Sequence, residues 1–194
     1  MLLLLKLTAY PLHCVIRQGV AFTAANLHAS LIGVDIQAQL RAAIGQGVAC
    51  LNDADAAGLA EMRWGAARGT RGTVMVLTFG TGIGSALFVD GRLVPNTELG
   101  HLEVGGVEGE QRASARVRTE LKLDWPQWCE RVNVYLDAID RLFWPEMIVI
   151  GGGISQDYAE YGSLLRARAR LVPARLGPAA GVVGAAMALS GQEP

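Results

Sequence analysis

The apolar residues of this chain fall into two kinds of pattern, and each predicts a different element. Residues 48–51, 73–79 and 147–150 are short runs that are apolar almost throughout. Runs of this length, bounded by glycine and polar residues, predict strands buried on both faces, as in a parallel sheet. Elsewhere the apolar positions recur with a helical period. Ile36, Leu40 and Ile44 follow Asp35, a residue suited to cap a helix, and Gly45 and Gly47 stop the pattern. Val132, Leu136, Ile139 and Phe143 mark one stripe of a helix over residues 126–143. Further helices are predicted over 54–67, 108–120, 155–170 and 181–190. Residues 15–23 read as strand-like about Gly19, and 23–26 open a loop that reaches Gly33. After the run 73–79, Gly80 to Gly84 turn the chain into a second strand over 85–89. Asp90-Gly91 then predicts a hairpin into a third strand over 92–94. Residues 95–106 form a polar, glycine-rich loop, and the polar turn 70–73 is the natural boundary between an N-terminal part and the rest.

Composition narrows the function classes. The 24 glycines exceed an ordinary share, yet they carry no collagen period, so they call for local reasons such as turns and close backbone approach. Seventeen basic and 18 acidic residues give a net charge of −1, so no global field draws the chain to nucleic acid or an anionic membrane. Cys14, Cys50 and Cys129 are odd in number and far apart, which encodes neither a disulfide framework nor a zinc site and suits a reducing cytoplasm. The leucines after Met1 have the wrong flanks for a secretory leader, and no run is long enough to cross a membrane.

Five places suggest chemistry. Asn52-Asp53 closes a buried strand directly before a helix, where open α/β sheets bind ligands. There Asp53 either accepts a proton from a substrate hydroxyl or caps the helix. Gly80, Thr81, Gly82 and Gly84 form a turn whose amides would clasp a phosphate; an ordinary glycine-rich β-turn has the same composition. It is neither a Rossmann fingerprint nor a Walker A loop. Glu98, His101, Glu103, Glu108 and Glu110 gather polar groups that suit a polyhydroxylated ligand, a metal ion, or plain solvation. Gly151, Gly152 and Gly153 end the buried run 147–150 in a second glycine turn. Arg166, Arg168, Arg170 and Arg175, with Arg112, Arg116 and Arg118, make either a polyanion track or a solvated helix face.

Three blocks carry a resemblance. Leu51-Asn52-Asp53-Ala54-Asp55-Ala56-Ala57-Gly58-Leu59-Ala60-Glu61, Leu77-Thr78-Phe79-Gly80-Thr81-Gly82-Ile83-Gly84-Ser85-Ala86 and Pro95-Asn96-Thr97-Glu98-Leu99-Gly100-His101-Leu102-Glu103-Val104 resemble the polyphosphate glucokinases among the ROK sugar kinases. The match runs in order from about Val15 to Ala188. It implies an α/β, actin-like ATPase (ribonuclease H-like) fold of two lobes. Residues 1–71 would be a remnant of the N-terminal lobe, 72–178 the C-terminal lobe, and 179–194 a helix packing back on the N-terminal lobe.

The resemblance also implies roles. Asp53 becomes the base for the 6-hydroxyl of glucose, and Asn52, Asn26, Glu98, His101 and Glu110 become hexose contacts, with Glu108 a neighbour. Gly80, Thr81, Gly82 and Gly84 match the second phosphate loop, and Gly151 to Gly153 the nucleotide-side loop. The implied donors are inorganic polyphosphate or ATP, with Mg2+ carried by the donor. No metal is held by the protein itself, because the cysteine-rich zinc motif of many ROK members has no counterpart between His101 and Glu110. A cytoplasmic homodimer is the family's usual state. One departure stands out. The family's opening Asp-x-Gly-Gly-(Ser/Thr) turn, its first phosphate loop, is missing from these residues, and Met1 to Pro11 resemble nothing in it. The expectation is an N-terminally truncated first lobe with an unpaired sheet edge, and as alternative activity a sugar-binding remnant impaired in transfer.

Overall fold

The structure, a computed structural model, describes residues 7–12, 14–23 and 28–189. Asn26 and the first six residues lie outside the described set. Its elements in order are β1 (Leu7–Leu12), β2 (Ile16–Arg17), β3 (Val20–Ala21), α1 (Ile36–Ile44), β4 (Gly47–Asn52) and α2 (Asp53–Arg63). The chain continues with β5 (Thr73–Phe79), β6 (Ile83–Val89), β7 (Arg92–Val94), β8 (Glu103–Val104), β9 (Val107–Glu108), α3 (Gly109–Ala113) and α4 (Ala115–Glu120). It closes with α5 (Trp125–Phe143), β10 (Met147–Gly151), α6 (Tyr158–Tyr161), β11 (Arg170–Pro173) and α7 (Ala180–Leu189).

A five-stranded sheet in the order β11-β10-β5-β6-β7 forms the centre; β11, β10 and β5 run parallel, while β5, β6 and β7 form an antiparallel meander. Both faces of β5 are covered, which is why its sequence is a continuous apolar run. Met75, Leu77 and Phe79 point to α5, where Trp128, Val132, Tyr135, Leu136 and Ile139 meet them. Val74 and Val76 point the other way, to Met62, Ala67 and Phe88. Helix α5 starts on a capping box in which Asp124 accepts from Gln127 N and the Gln127 side chain accepts from Asp124 N. The Asp90-Gly91 turn has φ of 50° and 82°, the left-handed pair that a two-residue hairpin needs.

The smaller N-terminal assembly holds a parallel pair, β1 with β4, in which Leu12 stands opposite Asn52. That pairing covers one edge of β4, and among the described residues no third strand joins the pair. The β2–β3 hairpin turns through Gln18 and Gly19, both at positive φ. Asp35 caps α1 by accepting from Ala38 N, and Gly45 ends it in the left-handed conformation.

Several helix boundaries differ from the sequence expectation. Helix α2 stops at Arg63, not at 67, because the Glu61 side chain turns back to accept from Ala66 N at 2.7 Å. The helix expected over 108–120 is broken at Ser114, which ends α3 and caps α4 through Val117 N. The helix expected over 155–170 does not form. Short 3-10 turns flank α6, and residues from Arg170 join the sheet as β11. The arginines there do not share a helix face: Arg168 covers the Trp144 ring at 4.3 Å, and Arg118 covers Trp125 at 3.6 Å. Strand β6 begins at Ile83, two residues before the expected start. Among the described residues no helix is long and apolar enough to cross a membrane.

Candidate active site

A cavity of about 290 Å³ opens where β4, β5 and β10 reach their carboxyl ends. That volume is at the lower end for small-molecule sites. Asn52 and Asp53 form one wall. Asn52 Oδ1 accepts from Ala54 N at 2.9 Å and from Asp55 N at 3.1 Å, so the helix cap is Asn52 and Asp53 is the first helical residue. The capping alternative for Asp53 is thereby taken by its neighbour. The Asn52 amide also donates, to Glu98 Oε1 at 3.2 Å and to the Cys14 carbonyl at 3.4 Å. One buried side chain thus ties three separate parts of the chain together.

Glu98, His101 and Glu110 form a second wall. Burial pushes the Glu98 carboxyl above its ordinary range; His101 opposes the shift, and Asp53 and Glu110 add to it. Glu110 Oε2 accepts from Ile83 N at 3.4 Å, which joins α3 to the start of β6. His101 Nδ1 lies 3.4 Å from Glu108 Oε1, and the other Glu108 oxygen accepts from Gln111 Nε2 at 2.8 Å. His101, Glu108 and Glu110 offer ligand atoms within 4.8 Å of one another, a donor set of imidazole and carboxylates that a divalent cation could use. Glu108 itself stands behind His101, outside the cavity lining.

The third wall is glycine. Thr78 pairs with Gly84 on one side and with Gly151 on the other, so the sheet register brings the two glycine turns side by side. Gly80, Thr81, Gly82, Gly84 and Gly152 line the cavity; Gly151 and Gly153 do not. Gly80 N donates to Gly82 O at 2.9 Å, which curls the turn on itself. Gly152 has φ of 82°, and a Cβ there would stand 2.3 Å from the Phe79 carbonyl oxygen, so only glycine lets β10 close against β5 at this point.

Sequence reasoning missed Cys14, Thr23, Thr78, Ile83 and Ser85, which also line the cavity. Ser85 had a signal, since it falls inside a resembling block. Cys14 had none, and burial lifts its thiol to about 11, which makes it a small apolar wall rather than a nucleophile.

The ROK family model matches residues 14–115, more than half of the chain. The chain belongs to the ROK family. It is 49% identical over 175 residues to the polyphosphate glucokinase of Mycobacterium tuberculosis (strain CDC 1551 / Oshkosh), an alignment that covers 90% of this chain. The chain spans 66% of that relative's length. Its fold superposes on the inorganic polyphosphate/ATP-glucomannokinase of Arthrobacter sp. strain KM with a TM-score of 0.92 and 46% identity, over 96% of this chain and 74% of that one. About eight residues fall outside that match, fewer than the eleven of Met1 to Pro11, so the ROK likeness reaches into the segment that the sequence blocks left unmatched. A ROK family glucokinase from Streptomyces griseus, solved with glucose and AMPPNP, superposes at a TM-score of 0.73 with 21% identity, over 91% of this chain and 78% of that one. That likeness shows the shared mixed α/β sugar-kinase fold.

Proposed function

We propose that this ROK chain forms the glucose and phosphoryl sites of a glucokinase that moves a phosphoryl group from inorganic polyphosphate or ATP to the 6-hydroxyl of glucose. One observation carries the reading: Asp53, three acid or imidazole side chains and the glycine turn at 80–84 meet around a single cavity. A hydroxyl donor needs a base beside it, a polyol needs separate polar groups, and a transferring phosphoryl group needs backbone amides.

In this mechanism Asp53 takes the proton of the attacking hydroxyl as its oxygen reaches phosphorus. Asn52, Glu98, His101 and Glu110 fix the sugar, and the turns at 80–84 and 152 face the phosphoryl oxygens. Magnesium arriving with the donor would neutralise charge on the leaving phosphate. We further propose that residues 1–71 and 72–178 act as two lobes about this cavity, with 179–194 returning to the first. The packing of α7 against α2 supports the last point.

The test is glucose-6-phosphate formation with polyphosphate or ATP and Mg2+. Asp53→Asn is expected to lower turnover by roughly 10²–10⁴-fold with an unchanged melting curve. Folded protein that neither binds glucose nor makes product would overturn the proposal. A second reading is a sugar-binding remnant that holds glucose without phosphoryl transfer. Calorimetric glucose binding with no turnover would select it.

A further inference from the structure

Next to the cavity lies a hydrogen-bond circuit that the mechanism above does not use. Asp55, the third residue of α2, is 2% exposed. Its Oδ2 accepts from Asn96 N at 2.8 Å, while its Oδ1 is buried with no hydrogen-bond partner among the described residues. Asn96 follows β7 with φ of 59°, a left-handed conformation that asparagine tolerates better than most residues. That backbone turns its side chain onto the hairpin 80 positions away. Asn96 Oδ1 accepts from Ile16 N at 2.9 Å, and Asn96 Nδ2 donates to Ile16 O at 2.9 Å. The side-chain amide thereby copies the paired bonds of an antiparallel strand neighbour.

Both ends of the circuit touch cavity walls. Ile16 is two residues from Cys14, whose carbonyl accepts from Asn52, and the same hairpin leads to Thr23. Asn96 is two residues from Glu98, which Asn52 also holds. Buried Ser85 pins the intervening backbone: its hydroxyl donates to Thr97 O at 2.5 Å and accepts from Leu99 N at 3.0 Å. A buried carboxyl oxygen without a partner costs stability and is rare in native structures. Its retention here is explained if Asp55 is kept for geometry.

We infer that Asp55 and Asn96 are positioning residues, a clamp that fixes Glu98 and the Cys14–Thr23 strip against each other and so sets the shape of the acceptor side of the cavity. The inference rests on the glucose reading for its kinetic consequence, but the clamp itself can be tested without any ligand. Hydrogen exchange on the ligand-free protein is expected to show Ile16 and Phe22 amides losing protection by roughly tenfold in Asn96→Ala, with Leu77 and Ile150 unchanged. Steady-state kinetics should show Asn96→Ala and Asp55→Ala raising KM for glucose by roughly tenfold, with kcat and the donor KM held within about twofold. Asp55→Asn keeps an acceptor for Asn96 N and should restore most of the glucose KM. Equal loss in kcat and both KM values would mean general destabilisation and overturn the clamp. So would wild-type protection at Ile16 in Asn96→Ala. If wild-type protein makes no product, the glucose reading fails, and the exchange experiment still decides the clamp.

Discussion

Among the described residues, the two sides of the cavity stand on cores of very different size. The glycine turns at 80–84 and 152 rise from β5 and β10, which have one face sealed under α5 in the largest apolar cluster among the described residues. The acceptor side, with Cys14, Thr23 and Asn52, stands over a cluster whose buried members among the described residues are Cys14, Ile16, Ala21 and Ile36, with Leu12, Leu31, Val34, Leu40 and Cys50 packed against them. Apolar burial scales with area, so the first wall is held by bulk packing. The second, whose cluster is smaller among the described residues, is also held by directed bonds from Asn52 and Asn96. Under the proposed function, a wall that presents amides to phosphate gains from rigidity, and a wall that tells one polyol from another gains from groups fixed individually.

The contrast can be broken most directly in the cores. Phe79→Ala should cost about 3–5 kcal/mol and lower the unfolding midpoint of the whole protein. Ile16→Ala should cost about 2 kcal/mol, near the low end for such a change, with exchange confined to residues 14–23 and α1. Denaturant unfolding of both variants measures the difference; equal costs would mean that the two walls share one core.

Asp55 sharpens the same contrast through pH. Burial, opposed by the Asn96 amide and reinforced by Glu98 and Asp53, raises its carboxyl from an ordinary 3.8 to about 7. Between those values the folded chain keeps a proton that the unfolded chain releases, so this group's contribution to stability falls as pH rises from 4 to 7. Above that interval the full cost of burying the charge remains. Asp55→Asn should therefore gain on wild type by up to roughly 4 kcal/mol between pH 4 and pH 8, read from unfolding curves at each pH. A gap that does not change with pH would contradict the burial argument. Gly82→Ala should have the smallest effect. Its Cβ would meet the mobile end of Glu110 at 2.3 Å, so the carboxylate moves and the packed wall does not. A rise in glucose KM of a fewfold, with stability changed by less than about 1 kcal/mol, is the expected result.

Much of the large-core wall is legible in the sequence. The apolar runs of β5 and β10, the α5 stripe and the Asp90-Gly91 turn are local patterns, and local patterns suffice where packing is generic. The stretch 155–170 shows the limit. Tyr158, Tyr161 and Leu165 fall at helical spacing, but their apolar faces are consumed by the aromatic cluster around Trp125 and Trp128, which admits only short turns. The alternation that puts residues 170–173 into the sheet is too short to outweigh that spacing. The acceptor wall is less legible. Asp53, Glu98, His101 and Glu110 stand out as residue types, and the structure brings them together. The Asn96–Ile16 pairing joins positions 80 apart through one side chain, and nothing in either neighbourhood announces it.

Helix α2 carries one more constraint, in time rather than in space. Gly184 of α7 lies so close to α2 that a Cβ there would stand 1.6 Å from the Ala56 carbonyl oxygen. Glu61 near the end of α2 likewise accepts from Arg175 N and Leu176 N at 2.9 and 2.8 Å. The helix that begins with Asp53 is therefore made more than a hundred residues before its cover. At ordinary rates of synthesis that is a delay on the order of 10 s. During that interval the face of α2 that Gly184 and the Arg175–Leu176 turn later cover stands without its cover.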